Sequence, residues 1–231
     1  MILYDLAGEN EDFRFSPYCW RARFALAHKG FQPELRPWRF TEKDRIAASG
    51  QPLVPVLLDG AHTIHDSWSI ACYLEDSYPE RPKLFGGPEA RAMAQFIALW
   101  GETVVHPILV KSIILRIQAA VHPKDREYFR QSREKRFAMS LEEYARPVRE
   151  GLAELRNAMQ PMRVMLTRGH DYLAGRQPGY ADYAVLGNLQ FGRSFIAEPI
   201  FSREDPLAGW LERMFDTSGF GRDIIQFEDR V

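Results

Sequence analysis

The residues best suited to chemistry in this 231-residue chain are Ser16, which precedes Pro17, and Asp66, which precedes Ser67. Both pairs are typical of a helix start, because Ser and Asp accept hydrogen bonds from the first backbone N–H groups and Pro fits the first turn. A helix N-terminus presents free N–H groups and partial positive charge, which favour an anion. Ser16 could therefore face a thiolate, while Asp66 and Ser67 could hold the ammonium and carboxylate of an amino acid.

Val54 and Pro55 supply the third part of such a site, at the opening of an apolar, β-forming run. If the peptide bond before Pro55 is cis, Val54 turns its backbone N–H and C=O outward, where an extended peptide could pair with them as an added strand. Combined with Ser16, Asp66 and Ser67, this arrangement predicts a cleft for a short peptide that carries a thiol and a free amino acid.

The elements that must position these residues alternate between strands and helices over the first 80 positions. Period-two runs, turn signals and helix caps mark their limits, with Gly30 and Pro79 as helix stops and Asp59-Gly60 as a hairpin turn. The predicted order is a strand over 2–6, a helix over 16–30, a strand over 32–36, a short helix or loop over 41–48, a hairpin over 54–64 and a helix over 66–78.

The sequence changes character at residues 81–87, which are rich in Pro and Gly and predict a linker. The linker separates a first domain over 1–80 from a second, all-helical domain over 88–231. Helical spacing of apolar residues predicts the helices of this second domain, and Pro107 should kink or end the first of them. Its expected buried face consists of Met93, Ile97, Trp100 and Val104. The other predicted helices cover 108–120, 152–166 (one helix or a pair), 180–191 and 206–215.

Composition and charge exclude several classes of protein. With 45% hydrophobic and 26% charged residues, the chain has ample apolar material for a core. Its formal net charge of −1 gives no general attraction to nucleic acid or anionic lipid. Glu102 and Lys111 interrupt the most hydrophobic region, so no run approaches the roughly 18 apolar residues of a membrane span. No secretory signal is evident, and we expect a cytoplasmic protein.

The order of elements and the motifs within them resemble the glutathione transferases over essentially the whole chain. The resemblance implies an α/β plus all-α fold: a thioredoxin-like N-terminal domain and an all-helical C-terminal domain. It also implies glutathione as the co-substrate, no metal, and a homodimer with two largely independent sites. The motifs that carry it are Val54-Pro55-Val56-Leu57, the helix from Asp66 to Leu74, its exit at Tyr78-Pro79, and Ala181-Asp182 near the start of a buried helix.

A narrower similarity links the chain to the bacterial β-aryl etherases and the etherase-related glutathione transferases of fungi. It rests on Ser16-Pro17-Tyr18 with Trp20-Arg21, and on residues 132–137. Two positions depart from the family pattern. Asp66 stands where many members carry Glu, which places the carboxylate one methylene shorter. Gly179 stands where Ser, Thr or Asn usually precedes the helix-start Asp, and as a cap it costs only a few tenths of a kcal/mol.

The resemblance implies that Ser16 donates a hydrogen bond to the glutathione thiolate, which attacks an electrophile. Lowering a thiol pKa from about 8.5 to about 6.5 requires roughly 2.7 kcal/mol of preference for the anion. A hydrogen bond to a charged group contributes about 1.5–3 kcal/mol and a helix N-terminus about 0.3–1 kcal/mol, so no catalytic base is needed. Because a hydroxyl cannot form the mixed disulfide that cysteine would, conjugation or displacement is favoured over thiol exchange. The narrower similarity makes aryl-ether cleavage a candidate.

The electrophile is expected in a pocket between the two domains, where ligand clefts commonly form. The residues expected to bind glutathione are Ser16, Val54, Pro55, Asp66 and Ser67, and those expected around the electrophile are Tyr18, Trp20, Trp100, His106 and Phe191. A basic stretch, Arg126 to Arg136, is interpreted as a solvated helix face that could also line the mouth of the site for an acidic substrate.

Other interpretations stay open at this point. The chain could be a non-catalytic carrier of glutathione or aromatic ligands, or a thiol–disulfide enzyme that uses Cys19, although a small buried side chain is the commoner role of such a cysteine. Cys72 is expected in the core, and Tyr4 in the core or behind the site. His62 and His65, next to Asp66, have passable spacing for zinc, but a hairpin exit explains them better.

Overall fold

A computed structural model describes residues 1–227 of the chain. Its N-terminal domain follows the predicted order of elements. They are β1 (Ile2–Leu6), α1 (Pro17–His28), β2 (Glu34–Trp38), a 3₁₀-helix (Lys43–Ser49), β3 (Val56–Asp59), β4 (His62–His65) and α2 (Ser67–Ser77).

The four strands form one sheet in the order β2-β1-β3-β4. β1 runs parallel to β2, with α1 as the crossover, and antiparallel to β3, which pairs with β4 through the hairpin. Leu3 pairs with Leu57 in this register, and both side chains are fully buried. This is the thioredoxin-like domain that the sequence implied.

The second strand begins two residues later than expected, at Glu34 rather than at position 32. It continues to Trp38, whose ring is buried and whose Nε1 donates a hydrogen bond of 2.7 Å to the Glu42 carbonyl. Pro37 inside this strand is tolerated because β2 lies at the edge of the sheet, where a ladder N–H is dispensable. The strand therefore continues past Pro37 and ends at the buried Trp38.

The second domain is helical throughout its regular structure, as predicted. Its elements are α3 (Pro88–Trp100), a π-helical turn (Gly101–Val105), α4 (His106–Ala120), α5 (Pro123–Phe137), α6 (Leu141–Tyr144), α7 (Val148–Ala158), α8 (Gln160–Thr167), α9 (Tyr180–Arg193) and α10 (Pro206–Ser218). The expected helix over 152–166 is thus a pair, α7 and α8.

The first helix of this domain does not end at Pro107. α3, the π turn and α4 are continuous, because the wide turn accommodates a residue that lacks a backbone N–H. The resulting helix, Pro88–Ala120, is long and apolar enough to cross a membrane by length and composition, although Glu102 and Lys111 interrupt its apolar residues. Half of its apolar window is buried inside the protein, and core helices of globular proteins meet the same criteria.

The buried face of α3 also differs from the expectation. Met93 is 59% exposed and Val104 38% exposed, whereas the small residues Ala94 and Ala98 are buried. Small side chains lie inward because this helix approaches α9 closely. At Gly101, the first residue of the π turn after α3, an added Cβ would lie 2.8 Å from the Asn188 amide nitrogen. Met93 and Val104 are consequently left on the outer face of the helix, whereas Ile97 and Trp100 are partly buried against the core.

α9 forms the centre of the helical domain, and Asp182 fixes its start. The buried Asp182 carboxylate accepts hydrogen bonds from the backbone N–H groups of Leu173, Ala174 and Gly179 and from Trp210 Nε1. The structure also explains the departure at Gly179, since a Cβ there would approach the Leu84 carbonyl oxygen to 2.9 Å. Close packing of the linker therefore favours glycine over the usual hydroxyl or amide cap.

Candidate functional site

A cavity of about 820 Å³ opens between the two domains. The N-terminal domain contributes the start of α1, the loop before β3 and the start of α2, and the helical domain contributes α4, α5, α9 and the π turn. The residues that line it include Ser16, Pro17, Tyr18, Phe40, Val54, Pro55, Asp66, Glu102, His106, Phe129, Arg133, Arg136, Phe137 and Phe191.

Ser16 is the N-cap of α1 and lies in the cavity wall with 5% of its surface exposed. Pro17 occupies the first turn, as the sequence predicted. The backbone N–H of Cys19 donates a hydrogen bond of 3.3 Å to Ser16 Oγ. Because Oγ acts as the acceptor in that bond, its own proton remains for donation to a ligand atom in the cavity.

Cys19 lies directly behind Ser16 and is fully buried. Burial and the neighbouring Asp5 carboxylate raise the pKa of the Cys19 thiol well above its usual value. The thiol therefore stays protonated at neutral pH and is a poor nucleophile. Asp5 is itself buried, and Arg23 Nη1 lies 3.6 Å from its Oδ2. The expectation that Cys19 acts as a small buried side chain is confirmed.

The loop before β3 places Val54 and Pro55 in the same wall. The Val54–Pro55 peptide bond is cis, as the peptide-binding hypothesis required. Within residues 1–227, no hydrogen bond engages the backbone N–H or C=O of Val54. Both groups are therefore open to an extended peptide. The Pro55 carbonyl accepts a hydrogen bond of 3.2 Å from the Asp66 N–H, which ties this loop to the start of α2.

Asp66 caps α2 from a backbone conformation with φ 70°, in the left-handed region that only a few per cent of non-glycine residues adopt. Its Oδ1 accepts hydrogen bonds from the N–H groups of Trp68 (2.9 Å) and Ser69 (3.0 Å). The side chain is exposed, so Oδ2 faces solvent at the rim of the cavity. Ser67, the fifth residue expected to bind glutathione, is 1% exposed and is not part of the cavity lining. One carboxylate can thus cap the helix and attract a cation.

Three of the five residues expected around an electrophile, Tyr18, His106 and Phe191, line the cavity. The His106 ring stacks on Phe191 with centroids 5.2 Å apart and lies 5.8 Å from the Tyr18 ring. Burial, together with the positive charges of Arg21, Arg136 and Arg133, lowers the pKa of His106 to about 4. His106 is therefore a neutral, ring-stacked side chain at physiological pH.

The two remaining expected residues, Trp20 and Trp100, do not line the cavity. Trp20 follows Tyr18 by two positions on a helix and so points to the opposite side, where it packs on Phe24 and lies under the Arg23 guanidinium at 4.1 Å. Trp100 ends α3, partly buried against the core. Residues two apart on a helix lie on opposite sides, and this is why Trp20 is outside the cavity while Tyr18 lines it.

Three of the remaining candidates, Tyr4, Cys72 and His62, lie outside the cavity wall, whereas His65 lines it. Tyr4 is buried in the first strand and is not part of the cavity lining. Cys72 was expected in the core, but it is half-buried beside Arg91, near the surface of α2. His62 packs on Tyr73, and residues 1–227 contain no group of three or more His, Cys, Asp or Glu side chains placed to bind a metal.

The helix α5 contributes four residues to the cavity, and Phe129 and Phe137 are not among the residues predicted for the site. Phe129, Arg133, Arg136 and Phe137 all line the cavity. Their spacing of four, three and one residues puts them on one face of α5. Helical periodicity therefore groups these residues, but only the packing of α5 places that face at the cavity. Of the basic stretch from Arg126 to Arg136, Arg133 and Arg136 line the cavity, as the alternative interpretation allowed, whereas Arg130 lies outside it and pairs with Glu134 and Glu142.

Comparisons with known proteins agree with this architecture. Residues 12–82 match the family model "Glutathione S-transferase, N-terminal domain", and residues 92–216 match "Glutathione S-transferase, C-terminal domain". A glutathione S-transferase-like protein, ustS, of Aspergillus flavus is 28% identical over 146 residues, which cover 58% of this chain and 51% of that protein. A probable glutathione S-transferase, GSTU1, of Oryza sativa subsp. indica is 33% identical over 98 residues, 38% of this chain and 42% of that protein. The chain therefore spans about half the length of the curated relatives it matches.

Solved structures of fungal proteins share the fold. Glutathione transferase GSTFuA3 from Phanerochaete chrysosporium superposes with a TM-score of 0.82 at 21% identity, over 96% of this chain and 98% of that one. CsGST63524 of Ceriporiopsis subvermispora, solved in complex with glutathione, has a TM-score of 0.78 at 22% identity, over 96% and 97% of the two chains.

Proposed function

The chain belongs to the glutathione S-transferase family, and we propose that it uses Ser16 to activate the thiol of glutathione for attack on an aromatic electrophile in the cavity between its domains. The observation that carries the proposal is the position of the Ser16 hydroxyl, which lines the cavity at the first turn of α1 while its Oγ accepts the Cys19 N–H. The Ser16 hydroxyl proton would then be available to a thiolate in the cavity.

The same geometry supports the division of labour between Ser16 and Cys19. Ser16 is a hydrogen-bond donor at a helix N-terminus, where an anion is stabilised. Cys19 is sequestered behind it with a raised pKa, which disfavours thiol–disulfide exchange through this residue. We therefore assign the nucleophile to the bound co-substrate and the activating hydrogen bond to Ser16.

Glutathione would lie along the N-terminal wall of the cavity. The open backbone groups of Val54 would pair with its cysteinyl residue, as in an added strand. Asp66 would attract the γ-glutamyl ammonium through Oδ2, and Ser67 with the start of α2 would hold the carboxylate. In this arrangement the two helix N-termini would face two of the three anionic groups of the peptide, its thiolate and its γ-glutamyl carboxylate.

The reaction would be conjugation or displacement. In the displacement that the similarity to etherases suggests, the thiolate attacks the carbon that bears an aryloxy group, a C–S bond forms and the C–O bond breaks. The electron pair leaves with the aryl oxygen as a phenolate, which water then protonates. Aromatic walls, with His106 stacked on Phe191, would hold the aryl group near the sulfur.

We also propose that the protein forms a homodimer and that it is located in the cytoplasm. Three large side chains on one side of α3, Met93, Phe96 and Leu99, are 59%, 61% and 51% exposed. An exposed apolar patch of this kind is typical of a protein interface. We assign this patch to a second copy of the chain, which the family membership favours over other partners.

Product analysis tests the proposed reaction. The protein is incubated with glutathione and either an α-aryloxyacetophenone or chlorodinitrobenzene, and products are separated by chromatography. We expect a glutathione thioether from at least one substrate. The rate of its formation should be roughly 10- to 150-fold lower for Ser16→Ala, whereas Ser16→Thr, which keeps the hydroxyl, should retain part of the activity. Full recovery of both substrates despite bound glutathione would favour the carrier function and overturn the proposal.

A further inference from the structure

Two arginines of α5, Arg133 and Arg136, lie in the cavity wall without an acidic partner. No carboxylate of residues 1–227 forms an ion pair with either guanidinium. Arg130, on the same helix but outside the cavity, shows the contrast: it pairs with Glu134 at 2.9 Å and Glu142 at 2.8 Å. Among the four arginines of α5, Arg126 and Arg130 pair with carboxylates of residues 1–227, and the two that do not are the two that line the cavity.

The surroundings of Arg133 are aromatic. Its guanidinium lies 4.6 Å from the Phe129 ring centroid and 5.1 Å from that of Phe40, and its Nη1 donates to Ser132 Oγ at 2.9 Å. Burial and the like charge of Arg136 lower the pKa of Arg133 to about 10. The group still carries its charge at neutral pH, but it lies between rings and beside a second cation.

The other titratable groups around the cavity do not neutralise this pair. Glu102 binds the buried Arg21 at 2.6 Å. His106 is uncharged at neutral pH. Asp66 caps α2 at the rim on the N-terminal wall. The α5 wall thus presents two positive charges, one half-buried at Arg133 and one exposed at Arg136, beside aromatic rings, and an anion there would gain charge-assisted hydrogen bonds.

We propose that the cavity selects aromatic carboxylates, whose ring packs against the partly exposed rings of Phe40 and Phe137 and whose carboxylate pairs with Arg133 and Arg136. The identification of this ligand as the electrophile rests on the proposed transferase function, whereas its binding does not. Arginine suits the role because its planar guanidinium offers paired donors to a carboxylate. An anionic aryl ligand would also relieve the repulsion between the two cations.

Binding of two unreactive probes tests the proposal directly. Dinitrobenzoate and dinitrobenzamide share the ring and nitro groups, differ in charge, and carry no leaving group, so turnover cannot interfere. Calorimetry measures their affinities for the full chain and for Arg133→Gln, Arg136→Gln and Arg130→Gln. Arg133→Lys keeps a charge at the site, and thermal melting checks that each variant folds.

We expect the unmodified protein to bind the carboxylate roughly tenfold more tightly than the amide, with the preference shrinking as salt is added. Arg133→Gln and Arg136→Gln should each reduce this preference severalfold, Arg133→Lys should keep part of it, and Arg130→Gln should leave it unchanged. Equal affinities for the two probes, or a preference that survives both cavity variants, would overturn the proposal.

Glutathione is titrated separately into the same proteins. Affinity for glutathione that is unchanged in Arg133→Gln and Arg136→Gln supports the assignment of these arginines to the second substrate. A loss of glutathione affinity in both would show that they bind a carboxylate of glutathione instead, and would overturn it. Carboxylate preference without any glutathione binding would refute the transferase function alone.

Discussion

Gly187 of α9 lies against the carbonyl oxygen of Pro17, so close that an added Cβ would approach that oxygen to 2.5 Å. The same Cβ would lie 2.7 Å from Arg21 Cγ. The helical domain therefore packs directly onto the first turns of α1, next to Ser16. The absence of a side chain at position 187 allows both domains to form the wall that contains the proposed thiolate donor.

Gly187→Ala should push α9 away from α1. Backbone atoms cannot yield as a flexible side chain does, so we expect a loss of about 1–3 kcal/mol in the free energy of unfolding and weaker glutathione binding. Urea unfolding and calorimetry measure the two effects. Gly209→Ala on α10 is the control, because its Cβ would meet only Arg213 Nη1, at 3.5 Å. Equal stability of the two variants would contradict the close approach.

The low pKa of His106, about 4 against an ordinary 6.5, predicts a pH dependence of stability. The unfolded state binds more protons than the folded state between these values, so the free energy of unfolding falls as the pH falls from about 6.5 to about 4. Relative to His106→Gln, the unmodified protein should lose about 2 kcal/mol between pH 7 and about pH 5. Parallel urea-unfolding profiles for the two proteins would show that His106 titrates normally.

Ser16→Cys should change the chemistry of the site. A thiolate at this helix N-terminus would attack oxidised glutathione, form a mixed disulfide and release one glutathione thiolate. We expect peptide mapping to find the adduct at position 16 in both Ser16→Cys and the double variant with Cys19→Ser, in which Cys19 cannot resolve it. The unmodified protein should show no adduct at Cys19, and rapid modification of Cys19 there would revive the thiol–disulfide hypothesis.

Phe96→Glu should dissociate the proposed homodimer, because it introduces a charge into the exposed apolar side of α3. Sedimentation velocity at micromolar concentration is expected to show a dimer for the unmodified protein and a monomer for this variant. Leu115→Glu on α4 is a matched control, since Leu115 is also exposed, at 41%. A monomeric unmodified protein, or a dimer that survives Phe96→Glu, would exclude this interface.

The parts of the site that lie at helix starts could be predicted from the sequence because their signals are local. Ser16 with Pro17 and Asp66 with Ser67 form caps whose geometry depends on a few neighbouring residues. The sequence located Pro55, but it could give the cis form of the Val54–Pro55 bond only as a condition of the peptide-binding hypothesis. The order of strands and helices in the N-terminal domain could be predicted from such local cap and turn signals.

Where the prediction failed, packing between elements decided the outcome. Large apolar residues at helical spacing suggested a buried face for α3, but close contact with α9 admits only small side chains, and Met93 lies outside. Trp20 was assigned to the pocket by residue type, although its helical phase relative to Tyr18 turns it away. Arg133 belongs to the cavity through the tertiary position of α5, which composition alone does not reveal.

The ionisation of bound glutathione tests the central claim most directly. Ultraviolet absorbance follows the thiolate as pH is raised, with saturating glutathione on the unmodified protein and on Ser16→Ala. The Ser16 hydrogen bond and the α1 N-terminus together predict a bound-thiol pKa near 6.5, about two units below that of the free thiol, and most of that shift should vanish in Ser16→Ala. An equal shift in both proteins, or no shift despite binding, would contradict the assignment of Ser16 as the activating donor.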